Sequence, residues 1–405
     1  MNALPVFDGE ARQQDSVGRI FFHVVGEGAD HIQADLMTTR VKRGGLKTAR
    51  PRRRTRVTEA TYEEPDVPPS APAPAPTGKK AATSARKAGA NVSPEVEKHL
   101  DTFVETFTTL GVEGLRKQFK EGLAAYRAPD DKYKFRAFEA HPDKNRYLDV
   151  VCLDETRVRL TLNVPPSTDY IHANWVKFEG HDKVFIATQS PLDNTIEDFW
   201  RMVFQEGCPH IVNLTKIDMF QCIEDGKIKG TQYWPLDAGQ YQTFGKIFVN
   251  TKKVESEGKF LIYTVEVLPE GCSNSNIVKV LHMTSWPDRG LPMSGRHVLR
   301  LIRQVSGDKL DNGPIVMHCS AGIGRTGTII LIDIILRKLF SCQDVDLVDL
   351  FKTLRNQRAS CIQLEGQYVF IILSVLDYIK IKCPKYKEKV NKYIEDFRTA
   401  LIPST

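Results

Sequence analysis

The sequence lacks the cysteine spacing of a zinc site or of a disulfide framework. Its 405 residues include eight cysteines, and none of them belongs to a CxxC pair or a Cys/His cluster. Such patterns are typical of structural zinc and of small disulfide-linked domains. We therefore expect no metal and no cofactor, and we expect free thiols, as in a reducing compartment.

Long apolar segments are also missing. The two longest, Thr328–Phe340 and Tyr368–Ile381, each contain an aspartate and are too short to span a bilayer as a helix. At the start of the chain, Asp8 and Glu10 interrupt any apolar leader, so no signal peptide is predicted. These absences favour an intracellular protein without a transmembrane segment, located in the cytoplasm, the nucleus or both.

Acidic residues are absent from a basic arm, Arg40–Arg56, which has nine Lys and Arg among seventeen residues. Removing these nine from the 56 basic residues of the chain leaves 47 against 50 acidic residues, so the net charge of +6 comes from the arm. Three interpretations of the arm remain open: a nuclear import signal, a patch that binds a polyanion, and a solubilising tail.

Composition divides the chain into three regions. Residues 1–92 combine the basic arm with a Pro/Ala-rich stretch and are predicted to be largely disordered. Order resumes at Ser93 and Pro94, which are typical of a helix N-cap followed by proline at the first helical position. We assign residues 93–384 to one folded domain and residues 385–405 to a charged helical extension.

The most informative segment is His318–Gly327, with the sequence HCSAGIGRTG. The apolar run before it predicts a buried strand, and the apolar stretch after it predicts a buried helix. A tight loop between them lies at the helix N-terminus, where free N–H groups and the helix dipole favour an anion. Gly322 and Gly324 permit positive φ angles that turn amides inward. Arg325 offers a planar fork for two oxygens of a phosphate dianion.

This environment suits a reactive cysteine at position 319. A free thiol has a pKa of roughly 8.5, but a helix N-terminus and nearby cations lower it. Cys319 lies six positions before Arg325, and the hydroxyls of Ser320 and Thr326 are expected to donate hydrogen bonds to its thiolate. We interpret Cys319 as a nucleophile. The alternative, a buried cysteine that only packs, is the interpretation we prefer for most of the other cysteines.

The order of predicted elements favours an α/β fold. Candidate strands alternate with helical stretches along the domain, and they lie at 183–188, 210–214, 259–267 and 277–281. Such alternation is typical of a domain with a central mixed sheet.

The segment at His318–Gly327 resembles the motif of the phosphotyrosine-specific, cysteine-dependent protein tyrosine phosphatases: His-Cys, five residues, Arg, and Ser or Thr. The resemblance extends over about residues 112–380, with further elements in the family's order. It implies a single domain with a central, highly twisted mixed β-sheet flanked by helices. It also implies hydrolysis of phosphotyrosine in proteins through a phosphocysteine intermediate. Because no transmembrane segment is predicted, we expect a non-receptor member of the family.

Within the loop, the resemblance assigns a role to each residue. Cys319 is implied as the nucleophile, Arg325 as the phosphate-binding residue and Thr326 as a further catalytic residue, with His318 supporting the loop from behind. The residues implied to bind the phosphate through the loop are Ser320, Ala321, Gly322, Ile323 and Gly324.

The triplet Trp286-Pro287-Asp288 precedes Cys319 by about thirty residues. Cleavage of an aryl phosphate requires a proton on the departing phenolate, so a carboxylic acid must reach the leaving oxygen. The resemblance implies that Asp288 is first this acid and then the base that activates water. It also implies that Asp288 lies on a lid loop, with Trp286 as its lever.

A polar segment around Tyr147 matches the family's substrate-recognition wall. The resemblance implies that Tyr147 stacks on the substrate ring and gives the cleft a depth that only phosphotyrosine can span. Asp149 is implied to hold the peptide backbone. Leu148 stands between them, where the family often has a basic residue that favours acidic neighbours of the phosphotyrosine.

Two further segments match the family through polar side chains. An amide can donate and accept at once and so position water, and Gln363 and Gln367 match the family's two loop glutamines, with Gln367 implied to orient water. Leu364 replaces the threonine that commonly follows the first of them. Glu224 and Lys229 match a loop whose glutamate pairs with the phosphate-binding arginine and whose lysine contacts substrate.

Two alternatives compete with an active phosphotyrosine phosphatase. A weak or inactive phosphotyrosine-binding module on the same fold would lack a key residue, yet Cys319, Asp288 and Arg325 are all present. Dual-specificity and lipid-directed relatives are often smaller, and lipid-directed members tend to carry a lysine that Ser320–Gly324 does not contain. Expected partners are phosphotyrosine-containing proteins, with a polyanion or an import receptor for Arg40–Arg56, and we expect a monomeric catalytic domain.

Overall fold

The computed structural model describes residues 92–215, 221–224, 227–286, 290–292, 294–305 and 313–401. The basic arm Arg40–Arg56, almost all of the predicted N-terminal region and Asp288 lie outside these residues, as do the side chains of residues 221–228. The α-helices of the described part are α1 (Pro94–Gln118), α2 (Arg136–Glu139), α3 (Ile196–Gln205), α4 (Arg296–Val305), α5 (Gly324–Phe340), α6 (Leu347–Gln357), α7 (Glu365–Lys382) and α8 (Lys387–Leu401). The strands are β1 (Arg157–Arg159), β2 (Tyr170–Val176), β3 (Phe185–Thr188), β4 (His210–Asn213), β5 (Gln221–Glu224), β6 (Lys227–Thr231), β7 (Tyr241–Phe244), β8 (Ile247–Ser256), β9 (Phe260–Pro269), β10 (Asn276–Met283) and β11 (Ile315–His318).

Nine of these strands form one mixed sheet in the order β1-β2-β3-β11-β4-β10-β9-β8-β7, and β5 and β6 form a separate hairpin. The four central strands, β3, β11, β4 and β10, run parallel. The strands on either side of them pair antiparallel. The strands predicted at 183–188, 210–214, 259–267 and 277–281 correspond to β3, β4, β9 and β10, and the strand predicted before the loop is β11. The α/β class with a mixed sheet is confirmed.

Apolar side chains cover both faces of the sheet. In β11, Ile315 and Met317 belong to a large cluster that includes α1 and α4 to α8, whereas Val316 belongs to a second cluster with α3. Side chains alternate between the two faces of a strand, so a strand covered on both faces is apolar at every position. This explains the uninterrupted apolar run before His318.

The terminal helices pack on the same layer of the fold. α1 begins as predicted, with the Oγ of Ser93 accepting from the N–H of Val96 at 3.3 Å and Pro94 at the first helical position. Apolar residues of both helices join the large cluster: Val96, Leu100, Phe103, Val104 and Phe107 from α1, and Val390, Tyr393, Ile394 and Phe397 from α8. The charged helix predicted after Cys383 therefore has an apolar face that is buried against the domain.

The two longest apolar stretches of the sequence form most of α5 and α7. Most of their residues are buried, 13 of the 17 in α5 and 12 of the 18 in α7, and a helix that is apolar over most of its surface is typical of a protein core. In the described part of the chain, no helix combines the length and the apolar character needed to cross a membrane. All seven cysteines whose side chains are described are free.

Candidate active site

A tight loop after β11 forms the base of the candidate site. β11 ends at His318, and α5 begins at Gly324 without a side-chain cap at its N-terminus. The predicted order of strand, loop and helix is therefore confirmed. The first N–H groups of such a helix have no partner within the helix, and the helix dipole makes this end favourable for an anion.

The two loop glycines are needed for different reasons. Gly322 has φ +70°, and a Cβ there would lie 1.9 Å from the carbonyl oxygen of Thr188, which excludes a side chain. Gly324 does not have the positive φ that the sequence analysis expected, because it is already the first residue of α5. A Cβ at Gly324 would lie 2.8 Å from Nε2 of Gln367, so this glycine allows the glutamine to approach the loop.

A fully buried arginine, Arg358, binds the carbonyl groups of the loop. Its guanidinium donates to the carbonyl oxygens of Ala321 at 2.8 Å and Gly322 at 3.2 Å, and to Oδ1 of Asn174 at 2.7 Å. A further bond joins it to Nδ1 of His172 at 3.1 Å. Burial and the Arg358 charge lower the pKa of His172 to about 3, so this neutral ring accepts the bond. Arg358 thereby fixes the orientation of the peptides that begin at Ala321 and Gly322, and their N–H groups point away from the guanidinium because the N–H of a planar trans peptide lies opposite its carbonyl.

We expect Arg358→Lys to lower both stability and turnover. Lysine donates from a single nitrogen and cannot reproduce the planar fork that serves four acceptors. Because buried acceptors would be left unpaired, the free energy of unfolding should fall by about 2–4 kcal/mol. Misdirected loop amides should lower kcat by about 10-fold or more. Denaturant unfolding and turnover of a small aryl phosphate measure the two effects.

The matched control is Arg136→Lys, at an exposed position of α2, which should change neither quantity. A wild-type kcat in folded Arg358→Lys protein would contradict the positioning role of this arginine.

The thiol of Cys319 lies at the base of a cleft of about 510 Å³ and is 6% exposed. Burial opposes its ionisation, but the Thr326 hydroxyl, the Arg325 charge and the amides of Thr326 and Gly322 outweigh burial, and the pKa of the thiol lies below its ordinary value. The Thr326 hydroxyl is buried, and its interaction with the sulfur is the largest of the effects that lower this pKa. Cys319 is therefore more readily ionised than an ordinary cysteine.

Ser320 connects the loop to one wall of the cleft. Its hydroxyl donates to the carbonyl of Lys229 at 2.8 Å and lies 2.8 Å from the hydroxyl of Tyr147. Because Ser320 uses its only hydrogen on Lys229, the Tyr147 hydroxyl donates to Ser320. The bond from Ser320 to the thiolate that the sequence analysis expected is not made. Nζ of Lys229 lies 5.9 Å from the centre of the Tyr147 ring.

The turn that carries the wall tyrosine is anchored by Arg146. Its backbone N–H donates to Oε1 of Gln189 at 2.9 Å, and its guanidinium donates to the carbonyls of Ser190 at 3.0 Å and Pro191 at 2.5 Å. A role for Tyr147 was predicted from the sequence, but no role for Arg146 was. A polar segment in a sequence does not indicate which of its cationic side chains will bond to the backbone of a neighbouring segment.

The two glutamines lie at the start of α7. Oε1 of Gln367 accepts from the backbone N–H groups of Gln363 at 3.0 Å and Leu364 at 3.3 Å. Its Nε2 faces Gly324, the first residue of α5. The amide of Gln367 is thus oriented by the backbone, with its donor next to the loop.

Trp286 lies at the cleft and is held in place. Its Nε1 donates to the carbonyl of Gly290 at 3.1 Å, and its ring packs edge-on against Phe370 of α7, with ring centroids 5.5 Å apart. This end of the predicted lid is therefore anchored to a core helix. Asp288 and the side chain of Glu224 lie outside the described residues, so their contacts stay predictions.

His318 and Arg325, on either side of the loop in sequence, both make hydrogen bonds near the thiol. Nδ1 of buried His318 faces the carbonyl of Cys319 at 3.1 Å and so carries a hydrogen, which leaves Nε2 to accept from the Tyr233 hydroxyl at 2.7 Å. Burial lowers the pKa of His318 to about 4, which keeps the ring neutral. Arg325 donates to the carbonyl of Leu214 at 2.8 Å.

Most of the residues singled out in the sequence meet at this one cleft. Those that line it are Tyr147, Asp149, Lys229, Trp286, Cys319, Ser320, Ala321, Gly324, Arg325, Gln363 and Gln367. Gly322, Thr326 and His318 support the loop from behind, and Ile323 is buried. The cleft thus combines an ionisable thiol, an uncapped helix N-terminus and an arginine.

Known proteins match this part of the chain. Residues 141–377, more than half of the chain, match the model of the family described as protein-tyrosine phosphatase. The receptor-type tyrosine-protein phosphatase zeta of Rattus norvegicus is 36% identical over 279 residues, which cover 65% of this chain and 12% of that protein. The receptor-type tyrosine-protein phosphatase eta of Homo sapiens is 38% identical over 242 residues, which cover 58% of this chain and 17% of that protein.

The chain spans less than a fifth of the length of these relatives. Both relatives are receptor-type by name, whereas the sequence analysis predicted a non-receptor member. The match therefore concerns the domain that contains the cleft. On the extent of the family match, the chain belongs to the protein-tyrosine phosphatase family.

Proposed function

We propose that this chain hydrolyses phosphotyrosine in proteins through a phosphocysteine intermediate. The observation that carries the proposal is the Cys319 thiol, whose pKa lies below its ordinary value at the base of a cleft that Arg325 also lines. The thiolate is the nucleophilic form of cysteine. Backbone N–H groups of the loop and the guanidinium of Arg325 can donate hydrogen bonds to the oxygens of a phosphate dianion.

In the first step, the sulfur of Cys319 attacks phosphorus. A P–S bond forms, the bond from phosphorus to the phenolic oxygen breaks, and its electron pair stays on that oxygen. Asp288 supplies the proton, so that the leaving group departs as neutral tyrosine. Arg325 and the loop amides stabilise the charge on the three remaining oxygens.

In the second step, water attacks the phosphorus of the phosphocysteine. The carboxylate of Asp288 accepts the proton of this water, the P–S bond breaks, and the thiolate and inorganic phosphate are released. We assign the orientation of the water to Gln367, because backbone amides engage its Oε1 and its Nε2 lies beside the loop. A donor in that place holds a water oxygen toward phosphorus.

Selectivity for phosphotyrosine is expected from the depth of the cleft. The thiol is nearly buried, and the wall formed by Tyr147 rises beside it, so the short side chain of phosphoserine cannot bring its phosphorus to the sulfur. We expect kcat/KM on a phosphotyrosine peptide to exceed that on the matched phosphoserine peptide by about 100-fold or more. Phosphate release from the two peptides measures the ratio, and comparable rates would favour the dual-specificity alternative.

We further propose that the catalytic domain is monomeric and acts inside the cell, in the cytoplasm, the nucleus or both. The free thiols of the described residues support the location, because they suit a reducing compartment, and size-exclusion chromatography with light scattering tests the monomer. For the arm Arg40–Arg56 we propose binding to a polyanion or to an import receptor, because nine cations on one segment attract such partners without folding.

Deletion of residues 40–56 should leave kcat on a small aryl phosphate unchanged, because the residues to which we assign the chemistry, Cys319, Arg325, Asp288 and Gln367, all lie outside the arm. The same deletion should change the cellular location of the protein or weaken a salt-sensitive association with a polyanion. Imaging of tagged proteins and a salt titration of heparin binding measure the two effects. Unchanged location and unchanged binding would leave the arm as a solubilising tail.

A further inference from the structure

Two exposed leucines stand at the mouth of the cleft. Leu148 is 70% exposed and lies between Tyr147 and Asp149, which both line the cleft. Leu364 is 62% exposed and lines the cleft itself. Six large apolar side chains in the described part of the chain are exposed in this way. Two of the six, far apart in sequence, belong to this one opening: Leu364 lines it, and Leu148 lies between two residues that do.

Hydrogen bonds within the site fix the backbone near both leucines. The N–H of Leu364 donates to Oε1 of Gln367 at 3.3 Å, immediately before α7. Leu148 follows Tyr147, whose hydroxyl is bonded to Ser320 of the loop at 2.8 Å. The two side chains therefore start from positions that are fixed relative to the thiol.

Each of the two leucines is followed in the chain by an acidic residue, and the cations among the described residues that line the cleft are Lys229 and Arg325. The residue after Leu148 is Asp149, an exposed acid. The residue after Leu364 is Glu365, which is already paired with Lys120 at 2.8 Å. A side chain lying on Leu148 and Leu364 would thus contact apolar surface next to Asp149 and next to the ion pair of Glu365 with Lys120.

We propose that Leu148 and Leu364 form an aliphatic rim that selects phosphotyrosine segments with Leu, Ile or Val next to the phosphotyrosine. The occupant is the substrate chain, because a phosphotyrosine that reaches Cys319 brings its neighbouring residues to the mouth of the cleft. An aliphatic neighbour there removes apolar surface of both partners from water, and this contact is favourable without any charge. The inference rests on the proposed function and adds a substrate class to it.

The test uses phosphotyrosine peptides in which each position from two before to two after the phosphotyrosine is Leu, Ser or Glu in turn. For at least one position, kcat/KM of the full chain should be about 3–10-fold higher with Leu than with Ser, the size expected from a partly buried aliphatic contact. Glu should not exceed Ser. Leu and Ser within twofold of each other at every position would overturn the proposal.

Variants locate the preference. The double variant Leu148→Ser/Leu364→Ser should bring the Leu-to-Ser ratio to within twofold. The matched control is Ile381→Ser. Ile381 is 59% exposed and lies on α7, about 24 Å along the helix from Glu365. This variant should keep the Leu-to-Ser ratio of the wild type. Retention of the preference by the double variant would also overturn the proposal.

Binding separates this inference from the proposed function. The Kd values of the same peptides for the Cys319→Ser variant should show the same order, because the rim acts on binding. If the wild type releases no phosphate from any peptide, the proposed function fails. The ratio of the Kd values for the Ser and Leu peptides then still tests whether the rim prefers an aliphatic neighbour. If phosphate is released without a preference in either kcat/KM or Kd, the rim fails and the proposed function stands.

Discussion

Cys319→Ser is expected to abolish turnover while phosphotyrosine peptides still bind. A serine hydroxyl is not ionised by the surroundings that lower the pKa of the thiol, and loss of a nucleophile removes the covalent route altogether. We expect steady-state hydrolysis of an aryl phosphate to fall by about 10⁴-fold or more. Binding should persist because the loop amides and Arg325 remain, and calorimetry with a phosphotyrosine peptide measures it.

Peroxide provides a second measurement on the same thiol. Thiolates oxidise first, and burial raises the pKa of the other interior cysteines, to about 11 for Cys152 and about 12 for Cys361. Wild-type activity should therefore be lost in peroxide and regained in dithiothreitol. The matched control is Cys342→Ser, at an exposed cysteine, which should leave turnover and peroxide sensitivity unchanged. Hydrolysis by Cys319→Ser near the wild-type rate would refute the assignment of the nucleophile.

The second large effect is expected at Asp288. Loss of a positioned general acid costs about 10²–10⁴-fold in rate, so Asp288→Ala and Asp288→Asn should lower kcat by that factor on a substrate whose leaving group needs a proton. The acid must be protonated, so wild-type activity should fall as the pH rises through the pKa of Asp288, and this basic limb should vanish in both variants. The acidic limb should remain, because it reports the ionisation of Cys319, which Asp288 does not control.

Leaving groups distinguish this chemical role from a structural one. A substrate whose phenol has a low pKa departs without a proton and should lose much less rate in the two Asp288 variants than phenyl phosphate does. Equal losses on the two substrates would mean that Asp288 serves the structure of the lid and not proton transfer.

The sequence by itself determined the local parts of this protein. The apolar run that becomes β11, the loop from Cys319 and the start of α5 are contiguous, so strand, turn and helix patterns were enough to predict them. The same holds for α1, whose start at Ser93 depends on two adjacent residues. The apolar character of α5 and α7 also followed from composition, because helices in the centre of a domain bury most of their surface.

Only the tertiary structure decided how the loop is held. Arg358 and Ala321 are 37 residues apart, and Ser320 and Lys229 are 91 residues apart, so no local pattern connects them. In the folded protein, Ser320 bonds to Lys229 and Tyr147 of the cleft wall and not to the sulfur. Gly324 leaves room for the side chain of Gln367. A hydrogen-bonding side chain has many possible acceptors, and the residue type alone does not say which one the fold brings within 3 Å. The physical reason is that such bonds join elements whose relative placement is set by packing of the whole core.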